Sequence, residues 1–362
     1  MFNFLPGLRH IGLTPALINH FNRHAADLDV DPEDRLLRVT QVQRESVCVH
    51  DGTHEIQARL LPRLRDGLAA QADAIAVGDW VLAQHTGSGE CWLHQRLPPL
   101  NQLARRLHDG RDKVTRAVIV SNIDTALLVM GLDGDFNLRR LERFVALVQM
   151  AQVLPLVVLS KSDLCSDTAA RVAAAQALLP AGASVLAVNA LDPHTVQMLQ
   201  PWTGEGQTLV LLGSSGAGKS TLTNTLMGQG LALTGANRDG DGRGRHTTTT
   251  RSLYCMPGGA CVIDTPGLRT LRLDGDAAEL RHVFADIATL APGCRFRDCR
   301  HESEPGCAVR DAVQAPRLRS WNKLMREAQR DSQTALQRKA QVQLWKQRSR
   351  HARQSSQAKG WL

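Results

Sequence analysis

The sequence predicts three parts: an N-terminal β-barrel, a central doubly wound α/β domain and a C-terminal α-helical domain with a metal site. Three observations carry that expectation. Short strand-like alternations punctuated by turn signals fill residues 34–97. Continuous apolar runs then alternate with amphipathic stretches, the pattern of a parallel sheet covered on both faces. Three cysteines and a histidine then crowd between Cys294 and Cys307. A length of 362 residues suits two or three domains. Hydrophobic residues at 43% and charged residues at 22% exclude wholesale disorder. With aromatics at only 4%, the cores must be built from Leu, Val, Ile and Ala. No apolar run is long enough to span a bilayer, and the N-terminus lacks a basic start followed by an apolar stretch. A cytoplasmic location without a membrane partner is therefore expected.

Residues 1–33 show little periodicity and read as a loosely ordered leader. In the barrel segment, 34–100, Val47 and Val49 alternate with polar neighbours before an Asp51-Gly52 turn. The runs at 77–84 and 91–97 flank a Gly-Ser-Gly turn at 87–89, and together these short strands fit a barrel of the oligonucleotide-binding kind. Pro98-Pro99 closes it, and 101–116 reads as a basic connector. The α/β domain, 117–275, has apolar strands at 126–130, 155–160, 184–188, 208–212 and 261–264, with helical patterns at 138–150 and 168–179. Pro257-Gly258-Gly259 signals a hairpin between 252–256 and 261–264 at the sheet edge. Residues 276–362 are helical and cysteine-containing, ending in a long Arg- and Gln-rich helix. Between Arg310 and Leu362 thirteen Lys and Arg face three acidic residues, so the net charge of +8 belongs to this tail. A polyanionic partner and a merely solubilising helix both suit it.

Gly213, Ser214, Ser215, Gly216, Ala217, Gly218, Lys219 and Ser220 match G-x-x-x-x-G-K-[ST] between an apolar strand and a helical run opening at Thr221. Backbone N–H groups and the helix N-terminus there close around phosphate. Lys219 is expected to bridge the β- and γ-phosphates, and Ser220 to ligate Mg²⁺. Asp264-Thr265-Pro266-Gly267 ends the strand at 261–264; Asp264 completes the Mg²⁺ site and the Gly267 amide is placed to sense a γ-phosphate. The Gly-rich stretch 236–252 between them carries His246 and Thr247–Thr250. Thr248 is expected to meet Mg²⁺ and the γ-phosphate, although the threonines also suit the start of a strand.

Ser160-Lys161-Ser162-Asp163 resembles the Asn-Lys-x-Asp guanine motif of GTPases, with Ser160 in the Asn position. Asp163 would accept from the guanine N1–H and 2-amino groups, which adenine lacks, and Lys161 would pack its stem on the base. Asn189 and Ala190 resemble the second base loop. Cys294, Cys299, His301 and Cys307 form C-x4-C-x-H-x5-C, three thiolates and an imidazole suited to one closed structural Zn²⁺. A surrounding too polar to bury a core needs such a staple. Arg295, Arg297 and Arg300 between the ligands would face outward toward RNA phosphates.

The motif order is rotated: the base motif at 160 precedes the phosphate loop at 213, the threonines at 247–250 and Asp264. That is a circularly permuted P-loop GTPase domain. With a barrel in front and a Cys/His cluster behind, the chain resembles the ribosome small-subunit-dependent GTPase family, RsgA, over about residues 35–340. The resemblance implies slow GTP hydrolysis stimulated by the small ribosomal subunit and a role in late maturation of that subunit. Contacts to its rRNA, nucleotide-controlled release, one Zn²⁺, Mg²⁺ with GTP and a monomer are expected beside it. The resemblance also implies that His246 assists hydrolysis. Leu268 stands where many GTPases carry the water-orienting Gln and cannot orient water itself. Two other readings stay open. A P-loop ATPase or kinase with a zinc appendage is opposed by Asp163 and the motif order. A non-hydrolysing RNA-binding module is opposed by the intact Lys219, Ser220 and Asp264. Mechanically, the barrel and the C-terminal domain would act as two arms flanking the GTPase domain.

Overall fold

The computed structural model describes residues 6–28, 30–31, 34–44, 46–85, 89–108, 114–179, 182–228, 251–267 and 277–332. His246, the Thr247–Thr250 run, Leu268 and most of the basic tail lie outside them. The chain divides into two compact units: residues 1–106 with 116–274, and residues 107–115 with 275–362.

The barrel strands are β1 (Arg35–Val42), β2 (Val47–His50), β3 (Glu55–Leu60), β4 (Trp80–His85) and β5 (Cys91–Arg96). They pair in the order β1-β2-β3-β5-β4 and close through β1–β4, with β3 and β5 parallel. Inward residues Leu37, Val39, Val49, Val81 and Leu93 alternate with outward ones, so the period of two fills the core. Closure leaves no free edge among these strands.

The leader expectation is corrected. Residues 6–28 form α1 (Pro6–Arg9) and α2 (Pro15–Arg23), the second capped by the Thr14 hydroxyl, which accepts the Leu17 amide at 3.3 Å. Leu13, Leu17, Ile18 and Phe21 form an i, i+4 stripe that packs with Leu36, Trp80 and Leu97. Helices this short leave little periodic signal in the sequence. The connector reading of 101–116 is corrected as well. After α3 (Pro62–Ala70), between β3 and β4, and after the barrel, β6 (Gln102–His108) and β7 (Val114–Ser121) pair as a two-stranded sheet.

The α/β sheet runs β10 (Ser184–Ala187), β9 (Leu154–Ser160), β8 (Thr125–Gly131), β11 (Thr208–Leu212), β13 (Cys261–Asp264), β12 (Ser252–Cys255). All are parallel except β12, the hairpin partner of β13. Around it lie α4 (Leu138–Met150), α5 (Thr168–Gln176), α6 (His194–Leu199) and α7 (Lys219–Met227). Strand β11 is central, so the phosphate loop at its end sits between the ends of β8 and β13, although β8 to β10 precede it in the chain. The interleaved Leu127, Val129, Leu156, Leu209, Leu211, Leu222 and Val262 form the core.

Strand β12 is not an edge as expected. Ser252 pairs with Gln41 of β1, which joins the barrel to the sheet. A buried polar seam completes the join. Arg38, fully buried, donates to the Ile11 and Asn122 carbonyls and lies over the Trp80 ring at 5.4 Å. Ser121 Oγ donates to Asp79 at 2.6 Å, and Asn122 Nδ2 donates to the Gly78 carbonyl at 3.0 Å. The barrel is thus one body with the α/β domain rather than a separate arm.

The second unit contains α8 (Ala277–Val283), α9 (Ala285–Leu290), α10 (Ala308–Ala312) and α11 (Ala315–Ser332). Phe284 packs on Trp321 with ring centroids 5.3 Å apart, and Arg317 forms a two-pronged pair with Asp286 at 2.6 and 2.7 Å. No described helix is long and apolar enough to cross a membrane.

Candidate nucleotide site and metal centre

The phosphate loop springs from the end of β11 and enters α7 at Lys219. A Cβ on Gly213 would lie 2.2 Å from the Val129 carbonyl, so only glycine lets the loop pass the end of β8. Ser214 is nearly buried, Ser215 and Gly216 are exposed, and Ala217 packs into the core. Lys219 is only 6% exposed; its Nζ donates to the Gly213 and Ser214 carbonyls at 3.3 and 2.8 Å. Burial pushes its pKa down, and the Asp264 and Asp135 carboxylates oppose that fall. An ammonium held among loop carbonyls is positioned for exchange onto phosphate oxygens.

Ser220, in the first turn of α7, reaches Asp264 at the end of β13: its Oγ donates to Oδ2 at 3.2 Å. Residues 44 apart in sequence thus meet because β11 and β13 are parallel neighbours. Two hard oxygens beside a phosphate loop suit Mg²⁺ brought in with a nucleotide. Gly267 approaches the loop so closely that a Cβ there would lie 2.6 Å from the Ser215 nitrogen. Thr265 Oγ1 anchors this turn by donating to the Leu211 carbonyl at 2.6 Å. Thr221, partly buried, occupies the next position on α7.

The base motif follows β9, two strands away across β8. Ser160 is fully buried and donates to the Ala217 carbonyl at 2.6 Å, a direct tie between base motif and phosphate loop. Lys161 holds a left-handed conformation, φ 60° and ψ 38°, and pairs with Asp133 at 2.7 Å. The Ser162 amide donates to the Val188 carbonyl at 3.2 Å, and Asp163 is exposed in the following turn. Asn189 Oδ1 accepts the Leu191 amide at 3.0 Å, while the Ala190 carbonyl accepts Thr225 Oγ1 from α7 at 2.5 Å. Ser160–Asp163, Asn189–Ala190 and Gly213–Thr221 therefore converge at the C-terminal ends of the parallel strands, where open α/β sheets bind ligands. Sequence reasoning missed the acidic turn after β8, which contributes Asp133 and Asp135. Its two carboxylates match no phosphate or base motif.

In the second unit the donor atoms of Cys294, Cys299, His301 and Cys307 lie within 4.8 Å of one another. Cys294 Sγ is 3.9 Å from Cys307 Sγ and 3.6 Å from His301 Nδ1, which is 3.3 Å from Cys307 Sγ. A zinc tetrahedron with the usual bond lengths has edges of about 3.8 Å between sulfurs and about 3.5 Å between sulfur and nitrogen. The residues fit the ion, which when bound would cross-link the knuckle to α10, whose N-cap is Cys307. Burial pushes the His301 pKa down, keeping the imidazole neutral as a ligand must be. Arg295, Arg297 and Arg300 are all exposed. His282, on α8, is outside the cluster.

A family model described as RsgA GTPase matches residues 97–274. The chain is 40% identical over 288 residues to Small ribosomal subunit biogenesis GTPase RsgA 2 of Vibrio vulnificus (strain CMCP6), covering 78% of this chain and 80% of that protein. It is 46% identical over 281 residues to Small ribosomal subunit biogenesis GTPase RsgA of Xylella fastidiosa (strain M12), covering 77% and 82%. Its fold is similar to that of YjeQ from Thermotoga maritima, with TM-score 0.59 and 24% identity over 82% of this chain and 98% of that one. It is also similar to YloQ, a circularly permuted GTPase, with TM-score 0.57 and 23% identity over 84% and 99%.

Proposed function

Because the chain belongs to the RsgA family of small ribosomal subunit biogenesis GTPases, we propose that it binds the small subunit through rRNA and hydrolyses GTP slowly alone and faster when docked. Nucleotide state then controls its release late in subunit maturation. The observation that supports this best is the convergence of Lys219, Ser220 and Asp264 on one phosphate loop, with Ser160 tying that loop to the base motif.

In this reading Asp163 selects guanine, Lys161, Ser162, Asn189 and Ala190 frame the base, and Gly213–Thr221 hold the phosphates. Lys219 neutralises charge that develops between the β- and γ-phosphates. Ser220, Thr248 and Asp264 would hold Mg²⁺, which would supply positive charge against the phosphates. Gly267 senses the γ-phosphate, and His246 assists the attack of water, a role Leu268 cannot fill. The Zn²⁺ cross-links the C-terminal knuckle, and its arginines with the basic tail contact rRNA phosphates. The protein works as a monomer in the cytoplasm. Loss of the γ-phosphate releases the turn after β13. That turn leads directly into the second unit, so its movement loosens the grip on RNA.

Co-sedimentation tests this reading. The full-length protein is expected to pellet with small subunits in the presence of a non-hydrolysable GTP analogue and to remain in the supernatant with GDP. Equal recovery in both states would remove nucleotide control.

A further inference from the structure

The turn between β8 and α4, residues 131–137, belongs to none of the motifs, yet it is bonded to two of them. Asp135 Oδ1 accepts the Ser214 hydroxyl at 2.6 Å, Oδ2 accepts the Gly131 amide at 3.3 Å, and Arg140 pairs with the same carboxylate. Ser214 is the second residue of the phosphate loop. Asp133 Oδ2 receives Lys161 Nζ at 2.7 Å, and its Oδ1 accepts the Asp135 amide at 2.9 Å. The Leu132 amide donates to the Ser160 carbonyl at 2.8 Å. Seven residues thus hold the near arm of the phosphate loop and the base-motif lysine together.

Lys161 gives the turn a task. A left-handed backbone is disfavoured for a non-glycine residue and persists only where its surroundings over-determine it. The Asp133 ion pair supplies such a constraint. The Lys161 hydrogen bond in turn holds the Asp133 carboxyl below its ordinary pKa. A bare carboxylate beside a phosphate loop would repel the ligand. Ser214 and the Gly131 amide donate to Asp135 and the Arg140 guanidinium lies against it, which leaves it as a fixed acceptor.

We propose that this acidic turn positions the guanine nucleotide: Asp135 sets the phosphate loop through Ser214, and Asp133 sets Lys161 for the base. The proposal rests on the assignment of Ser160–Asp163 and Gly213–Ser220 to one guanine nucleotide. Both aspartates act through another residue. Their effects should therefore separate by which part of the ligand is present. Removing Asp135 loosens the phosphate arm and penalises ligands with a β-phosphate. Removing Asp133 loosens the base contact and penalises every guanine nucleotide.

Calorimetric titration of the full-length protein with GDP and with GMP separates the two. Asp135→Ala is expected to weaken GDP about tenfold and GMP less than threefold, the loss of one charge-assisted hydrogen bond. Asp135→Asn keeps an acceptor for Ser214 and is expected to restore most GDP affinity. Asp133→Ala is expected to weaken both ligands alike. Ser214→Ala added to Asp135→Ala is expected to cost nothing beyond the larger single effect. Wild-type affinity in both alanine variants overturns the proposal, as does an equal loss of GDP and GMP in Asp135→Ala without rescue by Asn. A wild-type protein that binds no guanine nucleotide overturns the site assignment beneath it.

Discussion

The Ser160 hydroxyl donates to the Ala217 carbonyl at 2.6 Å, so one buried side chain joins the base motif to the phosphate loop. In the proposed assignment Ser160 stands where the guanine motif of other GTPases has a longer Asn, and it makes an inter-loop tie of its own. Ser160→Ala is expected to leave that carbonyl buried without its partner, at about 1–3 kcal/mol. Urea unfolding of the nucleotide-free protein and GDP titration should both register the loss. Wild-type values in both would show that the tie contributes nothing.

Base selection is predicted to reside in Asp163, which stands exposed where a ligand can reach it. Asp163→Asn should weaken GTP binding and admit xanthosine triphosphate, whose 2-oxo group offers an acceptor where guanine offers a donor. Competition titrations with GTP, ATP and xanthosine triphosphate measure this. ATP binding as tight as GTP in the wild type would contradict the assignment. Lys219→Ala and Ser220→Ala should each abolish hydrolysis while the fold survives, as read by circular dichroism.

The placement of Ser160, Ser220 and Asp264 at the ends of strands was legible because each stands beside a continuous apolar run or opens the helix that follows one. The strands at 208–212 and 261–264 were read at their observed limits, since a strand buried on both faces is a continuous apolar run. What stayed hidden depends on residues far apart in the chain. Arg38, Asp79 and Asn122 form the barrel seam only after folding, and each alone looks like an ordinary surface residue. The pairing of β1 with β12 joins Gln41 to Ser252, which no local pattern announces. Asp133 and Asp135 sit in what reads as a Gly-Asp turn, and their partners lie 28 and 79 residues away.

Metal analysis of protein purified without added zinc should find about one equivalent per chain. Cys299→Ser should lose the metal and loosen α10 and α11 in hydrogen exchange, while the α/β domain continues to bind GDP. A folded, metal-free wild type would contradict the centre.

Asp79 predicts a pH dependence. Complete burial pushes its carboxyl up to about 6, despite the opposing pull of Arg96, Ser121 and the Ala76 amide; Asp73 adds a smaller upward push. The unfolded chain titrates near 3.9, so between pH 4 and 6 the folded state binds more protons. The Asp79 contribution to stability therefore falls as pH rises through that window, by at most about 3 kcal/mol, and is level above it. Comparing urea unfolding of the wild type and Asp79→Asn from pH 4 to 7 isolates the group. The wild type should lose ground to the variant up to about pH 6. A constant difference would mean that Asp79 does not titrate in this range.

Coupling between docking and hydrolysis is the central claim, and GTP turnover with and without purified small ribosomal subunits tests it most directly. The full-length protein should turn over slowly alone and at least about tenfold faster with subunits, as expected with Leu268 in the sequence position after Gly267. Added salt should erode the stimulation steeply as phosphate contacts are lost. Equal turnover with and without subunits would contradict the account.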